Sequence, residues 1–129
     1  MASIFTKIVQ GELPCHKIYE DDNYLSFLDV RPIRTGHSLV IPKKEVDYIF
    51  HLEDNELSSL MKVAKKVAIA IEKEIPCKRI GMTVIGIEVP HTHIHLLPID
   101  GVGDIDFSKA KMADSASLEL LAKKISSHL

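Results

Sequence analysis

The chain has no tryptophan, four phenylalanines and three tyrosines, so each aromatic near a site carries more information than usual. It has two cysteines, Cys15 and Cys77, too far apart to form a C-x-x-C pair. They are expected to be reduced thiols of a cytoplasmic protein. No apolar run reaches the roughly 20 residues of a bilayer span, and no membrane association is expected. The opening MASIFTKIVQGEL carries polar residues throughout and lacks the apolar centre of a secretory signal, which again points to the cytoplasm. Formal net charge is −2, so nucleic acid is not an expected partner. No repeat, low-complexity segment or long linker divides the sequence. At 129 residues, 46% hydrophobic and 26% charged, residues 1–129 suit one globular domain.

Periodicity supplies the elements. SIFTKIVQ (3–10) places Ile4, Phe5, Ile8 and Val9 on one helical face, with Ser3 as N-cap and Gly11 as stop. HKIYE (16–20) and YLSFLD (24–29) read as a hairpin around Asp21, Asp22 and Asn23. Arg31 and Pro32 interrupt the chain, Gly36 closes a loop, and HSLVIP (37–42) is a β-branched strand. Residues 53–74 form the longest helix. Leu57, Leu60, Met61, Ala64, Val67, Ala68 and Ile71 define its buried face, and Pro76 lies beyond its end. RIGMTVI (79–85) and the stretch from 91 to 97 are strands, and Ser117–His128 is a last amphipathic helix. The fold class expected is α+β: a meandering antiparallel sheet of about five strands, one long crossover helix, a short N-terminal helix and a C-terminal helix.

The informative stretch is HTHIHLLP, residues 91–98. In a strand, alternate side chains share a face, so His91, His93 and His95 line up with Cα atoms ~6.6 Å apart. Thr92, Ile94 and Leu96 take the other face, under the long helix. Three surface histidines are one explanation, though packing has no use for such a row. Zinc ligation is a second. It fits poorly, because the outer Cα atoms lie ~13 Å apart on a straight strand, whereas each nitrogen must come within about 2.1 Å of the metal. Nucleophilic attack on phosphorus is a third. A middle imidazole attacks while its neighbours hold phosphoryl oxygens and protonate the leaving group, with no metal or other cofactor.

HTHIHLL resembles the histidine triad (HIT) signature, His-φ-His-φ-His-φ-φ with φ apolar and Thr92 the loosest match. SIFTKIVQGELP, IYEDDNYLSFLDVRP and HSLVIPKK extend the likeness over residues 3–98, closest to the Hint branch of nucleoside phosphoramidases; the tail 99–129 lies outside it. The resemblance implies a HIT-like fold and a hydrolase or transferase acting at the α-phosphate of purine nucleotide derivatives. His93 would be the nucleophile, forming a nucleotidyl-histidine. His91 and His95 would contact the phosphate and assist proton transfer, with His37 as a fourth catalytic histidine. Ile4, Phe5, Ile8, Leu13, Phe27 and Val30 would form the nucleoside slot, and Asp29 would accept the ribose hydroxyls. A homodimer is implied, joined through strand 79–85 and the long helix at Val63, Val67 and Ala70. Dinucleoside polyphosphate hydrolysis and a catalytically weak nucleotide-binding module are the alternatives.

The sequence also departs from the family pattern. Before the triad stands TVIGIEVPH, where the family carries an asparagine and then Gly-Gln-x-Val; Gly86 and Val89 match, but Ile87 replaces Gln and no asparagine appears. Slow turnover of standard phosphoramidates is the consequence expected. Some bacterial members hold structural zinc through a Cys-x-x-Cys near the N-terminus. Ser3 and Thr6 stand there in this chain, and Glu45 replaces a histidine, so no structural zinc is expected.

Overall fold

The computed structural model describes residues 2–129. Helix α1 (Ile4–Val9) starts where Ser3 Oγ accepts the Thr6 N–H, an N-cap that satisfies one orphan donor of the first turn. Strands β1 (Lys17–Glu20) and β2 (Tyr24–Leu28) form the hairpin. Its turn is held by Asp21, whose Oδ1 accepts from both Asn23 N and Tyr24 N at 2.8 Å. Strand β3 (Ser38–Pro42) follows, then helix α2 (Asp54–Glu74), β4 (Arg79–Thr83), β5 (Ile94–Ile99) and helix α3 (Ser115–Ser126).

All strand pairs are antiparallel, in the order β1-β2-β3-β5-β4. The first three strands meander. The α2 crossover then skips one position, and β5 returns into the gap, leaving β4 at the edge. β5 thus becomes an inner strand, so its side chains are walled in on both flanks.

Alternation along the sheet divides the interior in two. One face packs Tyr24, Leu28, Val40, Ile94 and Leu96 against Leu60, Ala64, Val67 and Ile71 of α2 and Leu118, Ala122 and Ile125 of α3. The opposite face packs Leu25, Phe27, Leu39 and Ile41 against Phe5 of α1, with Ile8 and Val9 beside it. His37, Leu39 and Ile41 share the parity of this second face, and Leu39 stands opposite His95 in the β3–β5 register. The sheet therefore turns its histidines away from the large helices, toward α1.

The structure revises several boundaries. Strand β4 ends at Thr83, not Ile85. β5 begins at Ile94, so His91 and His93 precede the ladder. Thr92 causes this: its N–H and Oγ1 both bond to Val46 O, at 2.7 and 2.6 Å, pulling residues 91–93 off the neighbouring strands. Helix α3 starts at Ser115 because Asp114 caps it through Ser117 N. On α2, Met61 is exposed while Val63 and Ala70 are buried, a shift of the apolar stripe that the periodicity left open. Among the described residues, no helix is long and apolar enough to cross a membrane.

Gly36 lies in the left-handed region at φ +94°, and a Cβ there would collide with Ile75 and stand 3.1 Å from Pro98. This close approach lets the chain turn into His37. Gly36→Ala is expected to destabilise the fold by about 1–3 kcal/mol, as measured by urea unfolding. An unchanged midpoint would contradict the assignment.

Candidate functional site

His93 is set by one bond. Its Nδ1 lies 2.7 Å from the backbone carbonyl of His91. A carbonyl only accepts, so Nδ1 carries the proton and Nε2 carries the lone pair. The ring is buried to 7% exposure, and Phe5 packs edge-on against it at 5.0 Å between centroids.

His95 takes the complementary tautomer through His37. The Ile33 N–H donates to His37 Nδ1 at 3.1 Å, so the proton of neutral His37 sits on Nε2. That proton is donated to His95 Nδ1 at 2.9 Å, which leaves His95 with an Nε2–H. The His93 and His95 rings stand 4.9 Å apart, one presenting a lone pair and the other a donor. Burial pushes the His95 pKa down to about 3, and neighbouring His93 and His37 add to the effect. Burial lowers His37 as well, opposed by Asp29. The relay is therefore neutral at neutral pH.

Asp29 Oδ2 lies 3.6 Å from His37 Nε2, too far for a hydrogen bond, and Asp29 Oδ1 accepts the Arg31 N–H at 2.9 Å. One ligating atom each from Asp29, His37 and His95 falls within 4.8 Å of the others. The His37 Nε2 proton occupies the Nδ1 lone pair of His95, so an ion held by this trio would have to displace that proton.

His91 behaves differently from its expected role. It is fully buried, its Nε2 donates to Pro42 O at 2.7 Å, and its Nδ1 faces Ser3 Oγ at 2.8 Å. Neither ring nitrogen is free to touch a phosphate or move a proton. Its chemistry is supplied by its main-chain carbonyl instead. Ser3, Thr6 and Glu45 gather around its Nδ1. Two neutral hydroxyls are poor zinc donors, and Ser3 Oγ and Pro42 O already engage both nitrogens of His91, which leaves the Glu45 carboxylate as the one ordinary zinc ligand of the set.

The expected nucleoside slot is partly assembled. Phe5 and Phe27 meet edge-to-face at 5.7 Å, and Ile8 packs with them. Ile4 and Val30 are about half exposed, and Leu13 is half-buried outside that cluster. A cavity of about 360 Å³ reaches His93 from another side, walled by Tyr48, Ile49, Phe50, Val84 and Ile85. None of these five was expected at the site. The scarcity of aromatics made Tyr48 and Phe50 a usable signal. Phe107, from the tail, was also missed; it covers His95 edge-on at 4.9 Å and approaches His37 at 6.3 Å. No local pattern in the tail announces this contact.

The buried rings predict an acid-sensitive fold. The ordinary histidine pKa is 6.5, and that of His95 is about 3 in the folded chain. The unfolded chain therefore binds this proton first. The stability is complete above pH 6.5 and drains as the pH falls toward 3. This ring contributes a slope of at most about 1.4 kcal/mol per pH unit, and His37 and His91 add with the same sign. Urea unfolding across this window should show His95→Gln losing part of the slope; identical slopes would contradict the assignment.

Comparison with known proteins agrees with this geometry. Residues 10–102 match the HIT domain. The chain is 36% identical over 99 residues to adenosine 5'-monophosphoramidase hnt1 of Schizosaccharomyces pombe, covering 76% of this chain and 74% of that protein. It superposes on a HIT-like protein from Bartonella henselae with a TM-score of 0.87 at 30% identity, covering 98% and 96% of the two chains. A zinc-bound histidine triad family protein from Mycobacterium smegmatis gives a TM-score of 0.84 at 25% identity, covering 99% and 93%. With its triad, its sheet order and these likenesses in agreement, the chain belongs to the HIT domain family.

Proposed function

We propose that this chain cleaves P–N or related bonds at the α-phosphate of purine nucleotide derivatives, in two steps through a nucleotidyl-histidine. His93 Nε2 attacks phosphorus and the bond to the leaving group breaks. The His95 Nε2–H, held in that tautomer by His37, hydrogen-bonds a phosphoryl oxygen, and the departing amine takes its proton from solvent. Water then attacks the phosphorus, the bond to His93 Nε2 breaks with its electron pair returning to the ring, and the nucleotide leaves with the new P–O bond. Phe5, Phe27 and Ile8 would hold the base. Asp29, with a carboxylate oxygen turned toward the relay, would take the ribose diol. The observation that carries this reading is the pair of opposite tautomers on adjacent rings, each imposed by a backbone group. The likeness to a monophosphoramidase supports the substrate class.

The loop before the triad sets the expected rate. Ile87, standing where the family pattern has Gln, is 85% exposed, and Val84 and Ile85 before it present further apolar surface. Loss of one donor to a developing oxyanion costs about 10²–10³ in rate, so slow turnover is expected. The same loop favours the second reading, a nucleotide-binding module with weak catalysis. Steady-state hydrolysis of an adenosine phosphoramidate should resist chelator and fall by at least about 10³ in His93→Ala, while AMP still binds. Chelator-sensitive turnover, or an active His93→Ala, would refute the mechanism.

A cytoplasmic homodimer completes the reading. Both cysteines are free, in keeping with a reducing compartment. β4 is an uncovered edge with Met82 exposed, and Met61 and Ile69 are exposed on α2. Val63, Val67 and Ala70 cannot serve as the helix contact, because they are buried in the chain's own core. Sedimentation should show a dimer that Met82→Lys shifts toward monomer; a monomeric wild type would refute it.

A further inference from the structure

Glu45 lies in the primary sequence far from every histidine of the triad, yet its carboxylate anchors the cluster around His91. The protons of that cluster can be counted. A carboxylate only accepts, so Glu45 Oε1 receives the Ser3 N–H at 2.7 Å and the Thr6 hydroxyl proton at 2.6 Å. Thr6 has then spent its one proton, and its 3.3 Å approach to His91 Nδ1 is not a donation. Ser3 Oγ accepts the Thr6 N–H at 3.0 Å and gives its own proton to His91 Nδ1 at 2.8 Å. His91 Nε2–H goes to Pro42 O at 2.7 Å. Ser3 Oγ also lies 3.3 Å from Thr6 Oγ1, but its proton goes to the nearer His91 Nδ1; Glu45 fixes the Thr6 proton and the Pro42 carbonyl fixes the His91 tautomer.

Two routes lead from this cluster to His93. Through the ring of His91, the cluster locates the His91 carbonyl that accepts His93 Nδ1–H. Through the first turn of α1, it places Phe5 against the His93 ring. We propose that Glu45 is a positioning residue for His93: by tying the first turn of α1 to His91, it keeps the His93 lone pair on Nε2 and aimed into the site. The kinetic part rests on the proposed function; the structural part does not. The thiol and imidazole donors expected at these positions in zinc-holding relatives are absent, and ordered hydrogen bonds do the docking instead. The Glu45 carboxyl is held down to about 2, by the Thr6 hydroxyl first and the Ser3 amide second, so it is ionised at neutral pH.

The test uses the full-length chain with Glu45→Ala, Glu45→Gln and Thr6→Val. ¹⁵N-histidine NMR reads the tautomers, calorimetry reads AMP binding, and hydrolysis of an adenosine phosphoramidate gives kcat and KM. Glu45→Ala should lose the single Nδ1–H tautomer of His93 and about tenfold to a hundredfold in kcat, with a smaller loss of AMP affinity, because Phe5 also touches the base. Glu45→Gln keeps an acceptor oxygen and should recover most of both. A folded Glu45→Ala with wild-type tautomers and kcat overturns the proposal, as does a loss of AMP affinity parallel to the loss of kcat. If Glu45→Ala does not fold, the near-isosteric Thr6→Val removes one of the two bonds and is read by the same criteria. If wild type turns over no phosphoramidate, the proposed function fails, and the NMR comparison alone decides the role of Glu45.

Discussion

The site depends on two main-chain groups. The His91 carbonyl takes a proton from His93, and the Ile33 amide gives one to His37. A neutral imidazole has one donor and one acceptor nitrogen, so engaging one nitrogen decides the other. Side chains can turn and trade protons with water. Backbone groups held at the entry to a strand and in a tight loop cannot, and they impose the tautomers continuously. The result is a lone pair beside an N–H, the pairing that attack on a phosphoryl group needs.

The rest of the fold maintains that arrangement. β5 is an inner strand, so His95 is enclosed by β3 and β4, with Phe107 against it and Phe5 against His93 just before the strand. Enclosure removes water, which penalises the imidazolium and holds His95 far below the ordinary histidine range. A charged His95 would reverse the relay, because both its nitrogens would then donate. Burial thus fixes the direction of the hydrogen bonds as well as the shape of the pocket. Thr92 has a related part. By bonding Val46 twice it lifts residues 91–93 off the ladder and frees the His91 carbonyl from strand pairing to face His93 instead.

Much of this was legible in the residues. The period-two spacing of His91, His93 and His95 put them on one face, and that face is the one turned from α2. The strong 3.6-residue period of 53–74 gave α2 to within a residue, and Ser3 was readable as a cap. What failed did so for identifiable reasons. A strand reads through to Ile85 and from His91 on local propensity alone, but Thr92 bonds to a residue 46 positions away, which no local pattern encodes. The stripe of α2 was misplaced at Met61 because Val63 and Ala70 also satisfy helical spacing. His91 looked equivalent to its two neighbours in sequence; only the three-dimensional positions of Ser3 and Pro42 occupy its nitrogens. Tyr48, Phe50 and Phe107 reach the site from segments with no regular pattern, so only their rarity could have marked them.

The central claim is that His93 Nε2 is the nucleophile. The most direct measurement is mass spectrometry of protein quenched in alkali, where a phosphorus–nitrogen bond to histidine survives, during turnover of an adenosine phosphoramidate. A covalent AMP adduct on wild type that maps to His93 and is absent from His93→Ala is the result predicted. An adduct on another residue, or one that persists in His93→Ala, would contradict it.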